Sequence, residues 1–122
     1  MGGPAATSVV ANHTDREVEV LAVLPTEIVK AEVIERLGSQ LRRAVDKSGG
    51  TRFVLDLSRV TFMTSGAIGM LMNIRVHLQE RGYGFVMAGV SGDVGRVFEQ
   101  TRLKEVMPVY ETVAEAVASL VA

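Results

Sequence analysis

Val54-Leu-Asp-Leu-Ser-Arg-Val-Thr-Phe-Met-Thr-Ser-Gly-Ala-Ile-Gly-Met-Leu71 is the stretch on which the reading of this chain turns. It opens inside the run Arg52–Leu57, which is short and apolar with a single internal charge, Asp56. The run is short enough for a strand and apolar enough to be buried on both faces, as in a parallel or mixed sheet. After the turn Ser58–Gly66, Ala67, Leu71, Ile74 and Leu78 recur at helical spacing up to Glu80-Arg81, and Gly82 is a natural stop. A buried strand feeding a helix is half of a β-α-β unit.

The pattern repeats outward. Upstream, Ser8–Asn12 and Val18–Val23 alternate like strands, with His13–Glu17 as the turn of a hairpin and Pro25 ending the second strand. From about Ala31, Val33, Leu37, Leu41 and Ala44/Val45 fall on one helical stripe, which Ser48-Gly49-Gly50 stops. Downstream, Tyr83–Ala88 is a strand. Ser91 is placed to cap a helix bearing Val94, Val97, Phe98 and Thr101. Val106–Tyr110 is a last strand, which Pro108 assigns to an edge. Thr112 and Glu115 form a capping box for a final helix with a Val113, Ala116, Val117, Leu120 stripe. The expected order is β-β-α-β-α-β-α-β-α: an α/β fold with a mixed five-stranded sheet and about four helices, joined by right-handed crossovers. The helices are expected to cover one face; the sequence leaves open whether they cover both.

The 122 residues make one domain's worth of chain, 1–122, with residues 1–7 as a loose terminus. Apolar residues make up 48% and charged residues 22%, enough apolar material for a core. Thirteen Lys and Arg against fourteen Asp and Glu give a net charge of −1, which argues against a dedicated nucleic-acid binder. The absence of cysteine excludes a disulfide scaffold, a Cys-ligated metal site and a thiol nucleophile. The two histidines, His13 and His77, leave a His-built metal site or a Ser-His-Asp triad poorly supplied. No apolar run approaches the roughly 20 residues that cross a bilayer. A cytoplasmic domain without direct membrane insertion is the expectation.

The turn Thr61–Gly66 carries the functional question. Thr64 and Ser65 are hydroxyls placed where a helix begins. Locally both read as helix caps, and Gly66 as a residue that permits a tight turn. The second reading is a phosphorylation site, because a phosphate at a helix amino terminus meets free N–H groups and the positive end of the dipole. Asp56, near the carboxyl end of its strand, reads as a turn-ordering residue, with no second carboxylate or His to make an acid–base pair. Met63 and Met70 read as core, or as an adaptable docking surface if they lie beside the turn. Arg75, Arg81 and Arg96 read singly as solvated charges. Gly82-x-Gly84 and Gly89-x-x-Gly92 are not phosphate loops. No cofactor, no metal site and no catalytic residue is expected; Ser65 lacks a positioned base.

The stretch 54–71 resembles the central motif of STAS domains, the family of bacterial anti-sigma-factor antagonists: approximately apolar-apolar-Leu-Asp-Leu-Ser-x-Val-x-Phe-apolar-Asp-Ser-Ser-Gly-Leu-Gly-x-Leu. Glu80–Gly89 and Thr101–Tyr110 are similar to the family's following segments, so the likeness runs over roughly residues 18–121. In that family the first Ser after the motif Asp is phosphorylated by a partner kinase that is itself an anti-sigma factor. Without gaps, Ser65 takes that place, Thr64 takes the place of the Asp, and Gly69 matches the family's second Gly. Sliding by one residue makes Thr64 the acceptor. Upstream, the family's Gly-x-Leu-Asp is absent, and Glu27 stands near the acid's place. The resemblance implies a phospho-switched module whose partner-binding surface includes Met63, Thr64, Ser65, Gly66, Ile68 and Gly69. Its implied partners are an anti-sigma factor or serine kinase of the histidine-kinase-like ATPase fold and a metal-dependent serine phosphatase. The alternative is an unswitched STAS scaffold of a stress-signalling or lipid or anion transport complex.

Overall fold

The computed structural model describes residues 8–121. The expected loose terminus, residues 1–7, lies outside them. Strands β1 (Val10–Asp15), β2 (Val18–Val23), β4 (Arg52–Asp56), β6 (Gly84–Ala88) and β7 (Val109–Tyr110) form one sheet in the order β1-β2-β4-β6-β7. β1 and β2 run antiparallel and every other neighbour is parallel, so the sheet is mixed as expected. β7 lies at an edge, where Pro108 requires it. The principal helices are α1 (Ala31–Ser48), α2 (Ser65–Glu80), α3 (Gly92–Gln100) and α5 (Val113–Leu120).

Three short elements add to the expected order. β3 (Glu27–Ile28) and β5 (Phe62–Met63) pair in parallel as a separate ribbon, and α4 (Leu103–Val106) precedes β7. Two to four residues are too few to show a period. The expected strand 106–110 shrinks to two residues because Val106 closes α4 and Met107, 1% exposed, turns into the core. The first hairpin also differs. Its strands reach Asp15 and Val18, leaving Arg16-Glu17 as a two-residue turn with φ of 51° and 68°. Such turns favour Asn-Gly, so this one carried no sequence signal.

The sheet is covered on both faces. Leu21, Val23, Phe53, Leu55 and Met87 pack against Leu37, Leu41, Leu71, Ile74 and Leu78 of α1 and α2 and Phe98 of α3. The alternate residues Val18, Val20, Val54, Val86 and Ala88 pack against Ala116 and Val117 of α5. A single-faced arrangement would leave these five residues in water. Strand alternation thus sends each central strand's side chains into two cores. The capping box holds: Glu115 N donates to Thr112 Oγ1 at 3.1 Å, and Thr112 N donates to Glu115 Oε1 at 3.3 Å. Ser91 takes the N-cap position of α3 but makes no side-chain cap bond.

Candidate functional site

The site begins where β4 ends. Asp56 Oδ1 accepts from Ser58 N at 3.0 Å and also from the Ser58 hydroxyl, which closes the chain into a turn. Leu57 N donates to Ala88 O at 2.9 Å, holding this turn to the end of β6. Gly89 follows, at φ +78°, and a Cβ there would stand 2.9 Å from Ser58 N and Cα. Only glycine meets both demands. Val60, fully buried, then plugs the core beneath the turn.

From here the segment is held by the loop after β2. Thr61 N and Thr61 Oγ1 donate to Thr26 O at 2.7 and 3.1 Å, and Thr64 N donates to Ile28 O at 3.2 Å. In the β3–β5 ribbon Glu27 pairs with Phe62 and Ile28 with Met63. Ile28 and Met63 point inward, at 0% and 1% exposure, while Phe62 and Val29 stand out at 43% and 44%. Alternation places Glu27, Val29, Phe62 and Thr64 on the outward side.

Thr64 is the N-cap of α2, with φ −89° and ψ 169°; its Oγ1 accepts from Ala67 N at 3.4 Å and its carbonyl accepts from Ala67 N and Ile68 N at 3.0 and 3.2 Å. Thr64 is half-buried, and Ser65, the first helical residue, is exposed. The Ser65 hydroxyl makes no hydrogen bond among the described residues. The first turn of α2 carries no acidic residue, so nothing there offsets the positive end of the dipole. Gly66 and Gly69 are exposed, and a Cβ at Gly69 would meet nothing within 4 Å. Beside them an open groove of about 1000 Å³ runs between α1 and α2, bordered by Ile34 and Met70.

The sequence-derived surface therefore divides. Ser65, Gly66 and Gly69 are exposed and Thr64 half so, all at the amino-terminal end of α2. Met63 and Ile68, 1% and 5% exposed, belong to the core because they fall on the inward side of β5 and α2. They brace the surface from below and contribute almost no area to it. Met70, 8% exposed, is likewise chiefly core. The exposed apolar flank is supplied by Phe62 and Val29, which the sequence reading did not single out. Their signal is the alternation Glu27-Ile28-Val29 beside Phe62-Met63-Thr64, too short to show a period on its own.

Arg81 and Arg96 are exposed, as expected, and Arg75 is half-buried; all three have partners. Arg75 Nε donates to Val106 O at 3.0 Å, tying α2 to α4. Arg81 bonds His77 O at 3.0 Å and lies 3.5 Å from Asp46, while His77 Nε2 meets Asp46 Oδ1 at 3.0 Å, joining α2 to α1. Arg96 pairs with Asp93. Among the described residues no group of His, Asp and Glu is arranged to hold a metal ion, and no helix is long and apolar enough to cross a membrane.

A STAS-domain family model matches residues 15–116. Among solved structures, an anti-sigma factor antagonist from Mycobacterium paratuberculosis superposes with a TM-score of 0.81 at 23% identity, over 93% of this chain and 95% of that one. A STAS-domain anti-sigma-factor antagonist from Planctomyces limnophilus gives 0.77 at 24%, over 90% and 95%. The Bacillus cell-fate determinant SpoIIAA, in its phosphorylated form, gives 0.66 at 19%, over 91% and 98%. At these identities the likeness to each structure is one of fold.

Proposed function

The chain belongs to the STAS-domain family, and from that premise we propose that it is an anti-sigma-factor antagonist switched by phosphorylation at Ser65. Unphosphorylated, it binds an anti-sigma factor that is also a serine kinase of the histidine-kinase-like ATPase fold, and the sigma factor held by that kinase is released. Phosphorylation ends the complex, and a metal-dependent serine phosphatase restores it. The chain works in the cytoplasm as substrate and ligand, and catalyses nothing itself.

The observation that carries this reading is the exposed, unbonded Ser65 hydroxyl on the first turn of α2, at a helix end free of acidic residues. A phosphate of charge about −1.5 to −2 fits there without unfolding the domain, because free N–H groups and the dipole stabilise it. It would sit beside Phe62 and Val29, where a charge opposes burial in an apolar interface. Ser65 is favoured over Thr64 on the same grounds: the Thr64 oxygen faces Ala67 N and is half-buried. Asp56 orders the turn that leads into the site and takes no part in chemistry.

The test is phosphopeptide mapping after incubation with ATP and the candidate kinase encoded in the same genome. One added phosphate, retained in Thr64→Ala and lost in Ser65→Ala, is the expected result. Loss in Thr64→Ala alone moves the acceptor. Tight kinase binding without any phosphate transfer removes the switch, and neither binding nor transfer points to a STAS scaffold of another complex.

A further inference from the structure

β1 is the outer strand of the sheet at the end opposite β7. Its pairing with β2 puts Asp15 opposite Val18 across a two-residue turn. In an antiparallel ladder such a closing pair is hydrogen-bonded, and bonded pairs then recur at every second residue. Leu24 N donating to Val9 O at 2.9 Å confirms the phase. The Val9 carbonyl, Ala11, His13 and Asp15 therefore bond inward, while Val9 N donates to Gln40 Oε1 of α1 at 2.9 Å, and the N–H and C=O groups of Val10, Asn12 and Thr14 point away from the sheet. Outer strands are commonly protected by Pro, Lys, a bulge or a covering element. β1, Val-Ala-Asn-His-Thr-Asp, has no Pro or Lys, its register runs unbroken, and no strand lies beyond it among the described residues.

A second observation lies beside this edge. The side chains of Val10 and Asn12 face α1, and a cleft of about 410 Å³ separates them from Gln40, Arg43, Ala44, Lys47 and Ser48. Its lining holds two cations and no carboxylate. Arg43 and Lys47 are exposed and form no ion pair among the described residues. Lys47 in the last turn of α1 does complement the helix's negative end. Arg43 lies further inside and has no such duty.

We propose that the β1 edge takes an extended acidic peptide segment as a sixth strand, its alternate carboxylates rising into the cleft toward Arg43 and Lys47. The backbone of the added strand pairs with Val10, Asn12 and Thr14. Period-two alternation brings every second side chain under α1. A second copy of this chain fits less well. Antiparallel pairing of two β1 strands would bring the Arg43 and Lys47 of both copies toward one seam, with no carboxylate in either cleft to offset them. The edge shares no residue with the Thr64–Ser65 surface, so this proposal stands independently of the phospho-switch.

The test uses the whole chain and a fluorescein-labelled Glu-Val-Glu-Val-Glu-Val peptide, followed by fluorescence anisotropy and by amide hydrogen exchange. Binding that weakens as salt is raised, with new protection at Val10, Asn12 and Thr14, is expected. The double variant R43E/K47E should weaken it about tenfold, by roughly one modest ion pair from each cation. N-methylation of alternate peptide amides, which leaves the protein untouched, should abolish it. Equal binding of a Thr-Val repeat would overturn the charge argument and the proposal with it. So would no binding at all. A dimer that protects the same amides without peptide would assign the edge to a second copy and overturn it too.

Discussion

Thr64 shows what one residue contributes to the site. It ends the β3–β5 ribbon through its N–H, caps α2 through its hydroxyl and carbonyl, and places Ser65 in solvent. The cap bond is long, at 3.4 Å, so Thr64→Ala should cost toward the low end of the usual range, about 0.5–1 kcal/mol. Thr64→Asp restores the carboxylate of the family motif and adds charge complementary to the dipole. It should unfold at higher urea than the parent chain, by roughly 0.5 kcal/mol. Urea unfolding followed by circular dichroism measures both. A stabilising Thr64→Ala would show that the hydroxyl does not cap.

At the scale of elements, the β3–β5 ribbon presents two apolar side chains to solvent directly beside the helix cap. Phe62, 43% exposed, anchors nothing in the core. Phe62→Ala should therefore leave the melting temperature within about 2 °C of the parent, as for a surface substitution. In the proposed complex it should weaken kinase binding by about tenfold or more, because exposed aromatics at interfaces act as anchors. Calorimetric titration and thermal melts of the same variant separate the two effects. This element also marks where sequence reading stops. The helices α1, α2 and α5 are legible because each shows two or more turns of its stripe, and the central strands β4 and β6 because each is a short apolar run between turn residues. The ribbon, with two residues per strand, shows neither. Ser65, Gly66 and Gly69 were placed on one surface by the motif resemblance. The same resemblance implies Met63 and Ile68 for that surface, which treats neighbours in the motif as equal in exposure. A strand or helix start breaks that equation, sending every second residue, or one side of a turn, inward.

For the whole molecule, the decisive property is that the central strands feed two cores. Val54 and Leu55 are neighbours in β4, both with 0% exposure, yet they belong to opposite faces. Leu55→Ala should cost about 2–5 kcal/mol and Val54→Ala about 1–3 kcal/mol, each opening a cavity in a separate cluster. Their side chains enter separate clusters but they share one stretch of backbone, so the departure of the double variant from the sum measures how far β4 couples the two cores. A Val54→Ala change without effect would mean that α5 does not cover its face. Only the apolar run of β4 points to the second core, and so short a run does not say which helix covers it.

The placement of α5 has a consequence for how the protein is made. Synthesis runs from the amino terminus, and domains fold as units during it. Val18 and Val20 leave the ribosome early, and Val54, Val86 and Ala88 follow, but their cover, Ala116 and Val117, is encoded in residues 113–120. The face built around α1 and α2 can assemble first. Its reverse remains an uncovered apolar plane until α5 emerges. For that interval the nascent chain presents a sticky sheet, and the docking of α5 ends it.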